Sequence, residues 1–196
     1  MIAYIRGKLV HKEPTHVVVD VGGVGYQASI SFNTFADIKD KEDIRLATYL
    51  HVREDAQLLF GFSTEAEKSM FLNLISVNGV GPNTAMVMLS SLPPAELRAA
   101  ILREDAATLQ AVKGIGGKTA QRLILELRDK LRKSPGDSGS TLAGGGGNTL
   151  RQEALTALMT LGISRSAAEN SIDAILRKSG NTISLEDLVK QALKNA

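Results

Sequence analysis

The chain of 196 residues contains no cysteine, which excludes disulfides and thiolate zinc sites and is compatible with a reducing compartment. Histidine is scarce: His11, His16 and His51 are scattered without metal-ligand spacing, so neither a metal nor another cofactor is expected. No apolar run reaches the length of a membrane span. The opening stretch MIAYIRGKL has too short an apolar part and no cleavage pattern for a signal peptide, so a cytoplasmic protein without a membrane partner is expected. Net charge is also nearly absent. Lys and Arg number 23 against 21 Asp and Glu, a balance of +2. The balance is local as well, with one exception: residues 106–133 carry 7 basic residues and 2 acidic ones. Positive charge is concentrated there.

That basic stretch contains Val112-Lys113-Gly114-Ile115-Gly116-Gly117-Lys118-Thr119-Ala120. It reads as the end of one helix, a glycine turn, and the start of a strongly periodic helix. Ala120, Leu123, Ile124, Leu127 and Leu131 fall at the spacing of one buried face, and Lys118, Arg122, Arg128, Lys130 and Arg132 lie on the other. A turn of this kind exposes consecutive backbone N–H groups at a helix start, where a phosphate binds well. The same order occurs 35 residues earlier as Val77-Asn78-Gly79-Val80-Gly81-Pro82-Asn83-Thr84-Ala85. One such corner would be an ordinary helix joint. Two with the same flanks form an internal repeat, and point to sequence-independent binding of phosphate backbones. Backbone N–H groups at 79–82 and 114–117 are the expected donors, with Lys113, Lys118 and Arg122 adding salt-sensitive attraction. No helix here looks built to read bases in a major groove.

Around this repeat the chain divides by pattern. Residues 2–10, 16–20, 26–30, 44–52 and 57–62 read as short strands, with Arg6-Gly7 near a turn, and suggest a small closed barrel over 1–63. Closure would satisfy strand edges that a tiny open sheet leaves exposed. Thr64 and Glu67 form a capping-box pattern that opens an all-helical region, 64–133, of about five short helices. Residues 134–148, SPGDSGSTLAGGGGN, read as a flexible linker. Residues 149–196 contain three helical stripes, opened at Thr149, Ser164 and Ser184, and form a third small domain.

Other motifs carry less. Gly117-Lys118-Thr119 resembles the end of a P-loop, but Val112 stands where the first glycine is required and no strand leads in. Gly23-Val24-Gly25 lacks the third glycine of a dinucleotide fingerprint, because Ala28 occupies it. Glu54 and Asp55 sit at a turn between strands. Three readings stay open there: a solvated tip, a Mg²⁺ chelate for cleavage, or a repulsive surface that steers DNA strands. No catalytic constellation is evident, and His51, in an apolar-flanked strand, reads as structural.

The chain resembles the RuvA family of bacterial Holliday junction branch-migration proteins over essentially its full length. The resemblance is carried by Val21-Gly22-Gly23-Val24-Gly25-Tyr26, by residues Val52 to Phe62 (VREDAQLLFGF), by Asn78-Gly79-Val80-Gly81-Pro82 and by Gly114 to Ala120. It implies an OB-fold barrel, a tandem helix-hairpin-helix domain, and a small mobile three-helix domain of the UBA-like kind. It implies a homotetramer, sometimes two tetramers face to face, that holds a four-way junction open and square. Glu54 and Asp55 match the family's acidic pin, which would bring two carboxylates from each of four subunits to the crossing. The resemblance further implies docking of residues 149–196 on the hexameric AAA+ ATPase RuvB, with Leu161, Ile163 and Ala167 as the expected contact, and sharing of the junction with the resolvase RuvC. ATP hydrolysis would then belong to RuvB, with no catalytic site in this chain. Asn83 departs from the family, which commonly carries Lys or Arg there. A helix-hairpin-helix module from another repair context and a Mg²⁺-dependent structure-specific nuclease are the alternatives.

Overall fold

The computed structural model describes residues 1–133, 146–179 and 183–195. They belong to two compact units, Met1–Ser138 and Gly139–Ala196. The first unit opens with strands β1 (Tyr4–Lys12), β2 (His16–Val21) and β3 (Val24–Ile30), a short helix α1 (Phe32–Ile38), then β4 (Asp43–Val52) and β5 (Gln57–Phe62). The strands close into a barrel in the order β1-β2-β3-β5-β4, with β4 paired back to β1. All pairings are antiparallel except β3 with β5, where Ser29 and Ile30 lie beside Phe60 and Gly61. Ile5, Val17, Val19, Ala28, Ile30 and Leu46 fill the interior, as alternation along each strand requires.

Two features depart from the sequence expectation. Helix α1 was not anticipated; it is short, its buried positions are Thr34 and Ile38, and Ser31 caps it by accepting the N–H of Thr34. Gly7 lies in the middle of β1, opposite Ile44, and makes no turn. A Cβ at Gly7 would stand 1.9 Å from the carbonyl oxygen of Asp20, so only glycine lets β2 pass this close.

Helices α2 (Glu65–Ile75), α3 (Pro82–Ser91), α4 (Pro94–Leu102), α5 (Ala106–Gln110) and α6 (Gly117–Lys133) complete the first unit. Thr64 caps α2 as its position predicts, and Asp105 caps α5 by accepting the Thr108 N–H. The second half of the Thr64–Glu67 box is not made. Instead the Glu67 carboxylate is buried and accepts the hydroxyls of Ser31 and Thr34, tying α2 to α1. Burial raises its pKa above the ordinary carboxylate value, against the opposing effect of those hydroxyl donors. Strand β5 strengthens the same seam. Leu59 faces the barrel interior, whereas Phe60 and Phe62 turn outward onto Phe71 of α2, with ring centroids 5.3 and 4.9 Å away. The outer face of β5 and the helices that patterning divides at residue 63 therefore share one core, separate from the barrel interior. It continues through Leu74, Leu89, Leu97 and Leu109 to the buried stripe of α6, Ala120, Leu123, Leu127 and Leu131.

The second unit consists of α7 (Gly146–Thr160), α8 (Arg165–Ser179) and α9 (Leu185–Asn195). Leu155, Leu158, Ala168, Ile172, Ile175, Leu188 and Ala192 form its core. The Arg151 guanidinium donates two hydrogen bonds, of 2.8 and 3.0 Å, to the Asp173 carboxylate and so joins α7 to α8. Ser184 caps α9 as expected. Thr149 is no cap, because α7 already begins at Gly146. Of the expected linker, residues 134–145 lie outside the described residues and 146–148 belong to α7. Among the described residues no single helix is long and apolar enough to cross a membrane.

Candidate nucleic-acid interface

The two glycine corners superpose position by position in their bonding. Gly79 and Gly114 adopt φ of +92° and +91°, which a side chain disfavours. Val80 and Ile115 follow, both buried, and their N–H groups donate to Val77 and Val112 at 3.0 and 3.1 Å. Ala85 and Ala120, fully buried, then close the first helical turn by donating to Gly81 and Gly116, each at 3.0 Å. Between these fixed points lie unpartnered donors. Among the described residues, the N–H groups of Gly79, Gly81, Asn83 and Thr84 have no acceptor, nor do those of Gly114, Gly116, Gly117, Lys118 and Thr119. The donor set thus differs from the one expected. Val80 and Ile115 are occupied, Pro82 has no N–H, and the first corner continues its donors through Asn83 and Thr84.

The second glycine of each corner is the informative one. Gly81 has φ of −84°, and neither Gly81 nor Gly116 lies in the left-handed region. A Cβ added at either meets nothing within 4 Å. The folded chain itself gives no reason for glycine at these two positions.

The basic side chains divide into two groups. Lys113 and Lys118 are exposed, and neither forms an ion pair among the described residues. Arg122, expected as a third such cation, instead donates from Nη1 to the carbonyl of Asn78 at 3.0 Å and approaches Glu126 at 3.9 Å. It ties helix α6 to the first corner and so fixes the spacing of the two. Lys130 reaches Ser76 in the same sense, at 3.4 Å.

Glu54 and Asp55 lie exposed in the β4–β5 turn, which the Arg53 N–H closes onto the Ala56 carbonyl at 2.8 Å. Arg53 Nε is 3.3 Å from Asp55, an exposed pair of little energetic weight. Beside this turn a cavity of about 130 Å³ is lined by His51, Arg53 and Leu58 together with Gly81, Pro82, Asn83 and Thr84. Arg53 and His51 of the barrel therefore stand beside the first corner, where Asn83 supplies no charge. Sequence reasoning missed both, because only the folded chain brings residues 51–53 to residues 81–84.

In the second unit, Leu161 is exposed, and Ile163 and Ala167 are half-buried around the turn between α7 and α8. Leu155, Leu158, Ile172, Ile175 and Leu188 are spent on the core. The histidines are not all scattered in space: His11 and His16 come together with Glu13.

Comparison with known proteins assigns every part of this architecture. The RuvA N-terminal domain matches residues 1–61, a SAM-like helix-hairpin-helix tandem matches residues 71–129, and the RuvA C-terminal domain matches residues 149–196. A Holliday junction branch migration complex subunit RuvA from Cytophaga hutchinsonii is 54% identical over 202 residues, covering 99% of each chain. The chain belongs to the RuvA family. The proteins of the same description from Amoebophilus asiaticus and Christiangramia forsetii are 49% and 45% identical, again with at least 99% of each chain covered. The closed barrel is the OB-like N-terminal part of RuvA, the two glycine corners are its helix-hairpin-helix tandem, and the three-helix unit is its C-terminal domain. The relatives carry the description of subunits of a Holliday junction branch migration complex.

Proposed function

We propose that this chain grips the sugar–phosphate strands of a four-way junction at both glycine corners and holds the crossing open for a branch-migration motor. The observation that carries the reading is the pair of corners whose amides lack protein partners and whose Gly81 and Gly116 answer no internal need. Clustered N–H donors at a helix start, with Lys113 and Lys118 free beside them, have the chemistry of a phosphate site. With Arg122 fixing their spacing, the two corners recognise backbone shape and leave the bases unread.

Glu54 and Asp55 act in this reading as an acidic pin that repels backbones at the centre and steers strands as they separate. Arg53 and His51, beside the first corner, supply attraction close to that repulsion and compensate for the uncharged Asn83. The chain assembles as a tetramer, or as two tetramers enclosing the junction. Its C-terminal unit docks the RuvB ATPase through Leu161, Ile163 and Ala167, and RuvC resolves the junction that the complex holds. The chain contributes positioning, and RuvB contributes ATP hydrolysis.

The test is a gel-shift comparison of a four-way junction with a linear duplex of the same sequence, with particle mass measured on the same sample. Selective, salt-sensitive junction binding by a tetramer or octamer is expected. Equal affinity for both DNAs, or Mg²⁺-dependent cleavage by the purified chain that Asp55→Ala abolishes, would overturn the reading.

A further inference from the structure

The β1–β2 hairpin presents a cluster that the DNA-binding reading leaves unused. His11 Nε2 lies 3.1 Å from one oxygen of Glu13, and His16 Nδ1 lies 3.6 Å from the other. One ligand atom from each residue falls within 4.8 Å of the other two. All three side chains reach solvent, the His16 ring least.

A backbone irregularity produces this convergence. Along β1, Ile5 and Leu9 face the barrel interior, so strict alternation would send His11 inward as well. The pairing to β2 runs Leu9 with Val19 and then His11 with Val18, which leaves Val10 as an extra residue in a bulge. The bulge reverses the facing of everything after it. His11 and Glu13, two residues apart, emerge on the outer face, where His16 stands opposite in sense to the buried Val17. The Glu13 N–H donates to the His16 carbonyl at 2.9 Å and holds the turn shut. Pro14 stiffens the chain between them. Lys12, between His11 and Glu13 in sequence, donates from Nζ to the Lys39 carbonyl at 2.7 Å.

We propose that His11, Glu13 and His16 form a divalent transition-metal site of the zinc class at the tip of the β1–β2 hairpin. Two imidazoles and one carboxylate are the donor set that Zn²⁺ prefers over Mg²⁺ or Ca²⁺. Ligands at about 2.0–2.2 Å from one metal stand roughly 3.3 Å apart. The carboxylate spans the two imidazoles, one oxygen toward each, and one ligand atom from each residue lies within 4.8 Å of the others, so closing on a metal asks for side-chain adjustment at the exposed tip. Three protein ligands leave one position for water. The metal would clamp β1 to β2 and add its binding free energy to the stability of the barrel.

The experiment titrates Zn²⁺ alone into the tag-free full chain, in a buffer that does not coordinate metals, against a chromophoric chelator. One equivalent per chain should compete. His11→Ala, Glu13→Gln and His16→Ala should each weaken binding by about 10-fold or more, and His51→Ala should leave it unchanged. Co²⁺ in place of Zn²⁺ should give visible absorption in the wild type that His16→Ala removes. Circular dichroism and junction binding of the His11, Glu13 and His16 variants should match the wild type, because these three side chains lie at the surface. Substoichiometric competition, His16→Ala binding as tightly as the wild type, or an equal loss in His51→Ala would overturn the site.

Discussion

The corners at Gly79 and Gly114 have a relative in the second unit, at Gly162, and the three begin alike. Gly162 has φ of +90°, an aliphatic residue follows it, and Ala168, six residues on and fully buried, donates to the carbonyl of Ser164 at 2.9 Å. They part over what the amides do. At the third corner the Gly162 N–H donates to Met159 at 3.0 Å, and the Ile163 N–H donates to Leu158 at 3.1 Å. Where the first two corners carry Gly81 and Gly116, this one carries Ser164, whose Oγ accepts the Ala167 N–H at 3.4 Å. The third corner still leaves the Ser164, Arg165 and Ser166 N–H groups without an acceptor among the described residues. What separates it is the bond made by the Gly162 N–H and the Ser164 side chain beside the donors, where the first two corners have glycine.

The sharpest way to break this contrast is to cover the donors of the first two corners. Gly81→Ala and Gly116→Ala together should weaken junction binding by about a hundredfold, roughly 1.4 kcal/mol per corner, while the thermal midpoint barely moves. Unchanged affinity would remove the distinction between the first two corners and the third. The next test uses the glycines that all three corners share. Gly79→Ala, Gly114→Ala and Gly162→Ala should each cost about 1 kcal/mol or more in urea unfolding, because each forces a side chain into the left-handed region. Only the first two should also impair DNA binding.

Smaller effects sharpen the charge side of the comparison. Lys118→Ala should reduce the slope of log affinity against log salt by about 1. Arg122→Ala should leave that slope nearer the wild type and lower affinity through lost spacing between corners. Equal slopes for the two variants would show that Arg122 is a phosphate contact after all. Glu54→Gln with Asp55→Asn should keep or raise junction affinity while altering migration, and a marked loss of binding would assign those carboxylates to structure.

The smallest effect concerns the seam beneath the corners. Glu67 has its pKa raised in the folded chain by burial, so its contribution favours folding below the unfolded carboxylate value of about 4.3 and is lost as pH rises through the folded value. Glu67→Gln lacks that loss. Its urea midpoint relative to the wild type should therefore climb from pH 4 to pH 8, and a flat difference would contradict the burial effect.

Much of this was legible because it is local. The barrel strands, the stripe of α6, the caps at Thr64 and Ser184, and both glycine corners follow from residues within a few positions of one another. What was missed depends on partners distant in sequence or on parity. Helix α1 has too few residues and too polar a buried side to show a period. Glu67 looked like half of a capping box until Ser31 and Thr34 took its carboxylate. Arg122 looked like a free cation until Asn78, 44 residues away, accepted from it. The bulge at Val10 reversed which side His11 faces, and no alternation rule anticipates a skipped residue. The third corner lacks the second glycine that made the first pair recognisable.

Strand β5 carries one more consequence. With Leu59 turned one way and Phe60 and Phe62 the other, it is a wall common to two rooms. A recombinant fragment stopping at residue 63 would carry Phe60 and Phe62 bare into solvent and should clump. A fragment starting at residue 64 would leave Phe71 without the rings it packs on. The seam at residue 63 marks a change of pattern, and melting should cross it as a single event.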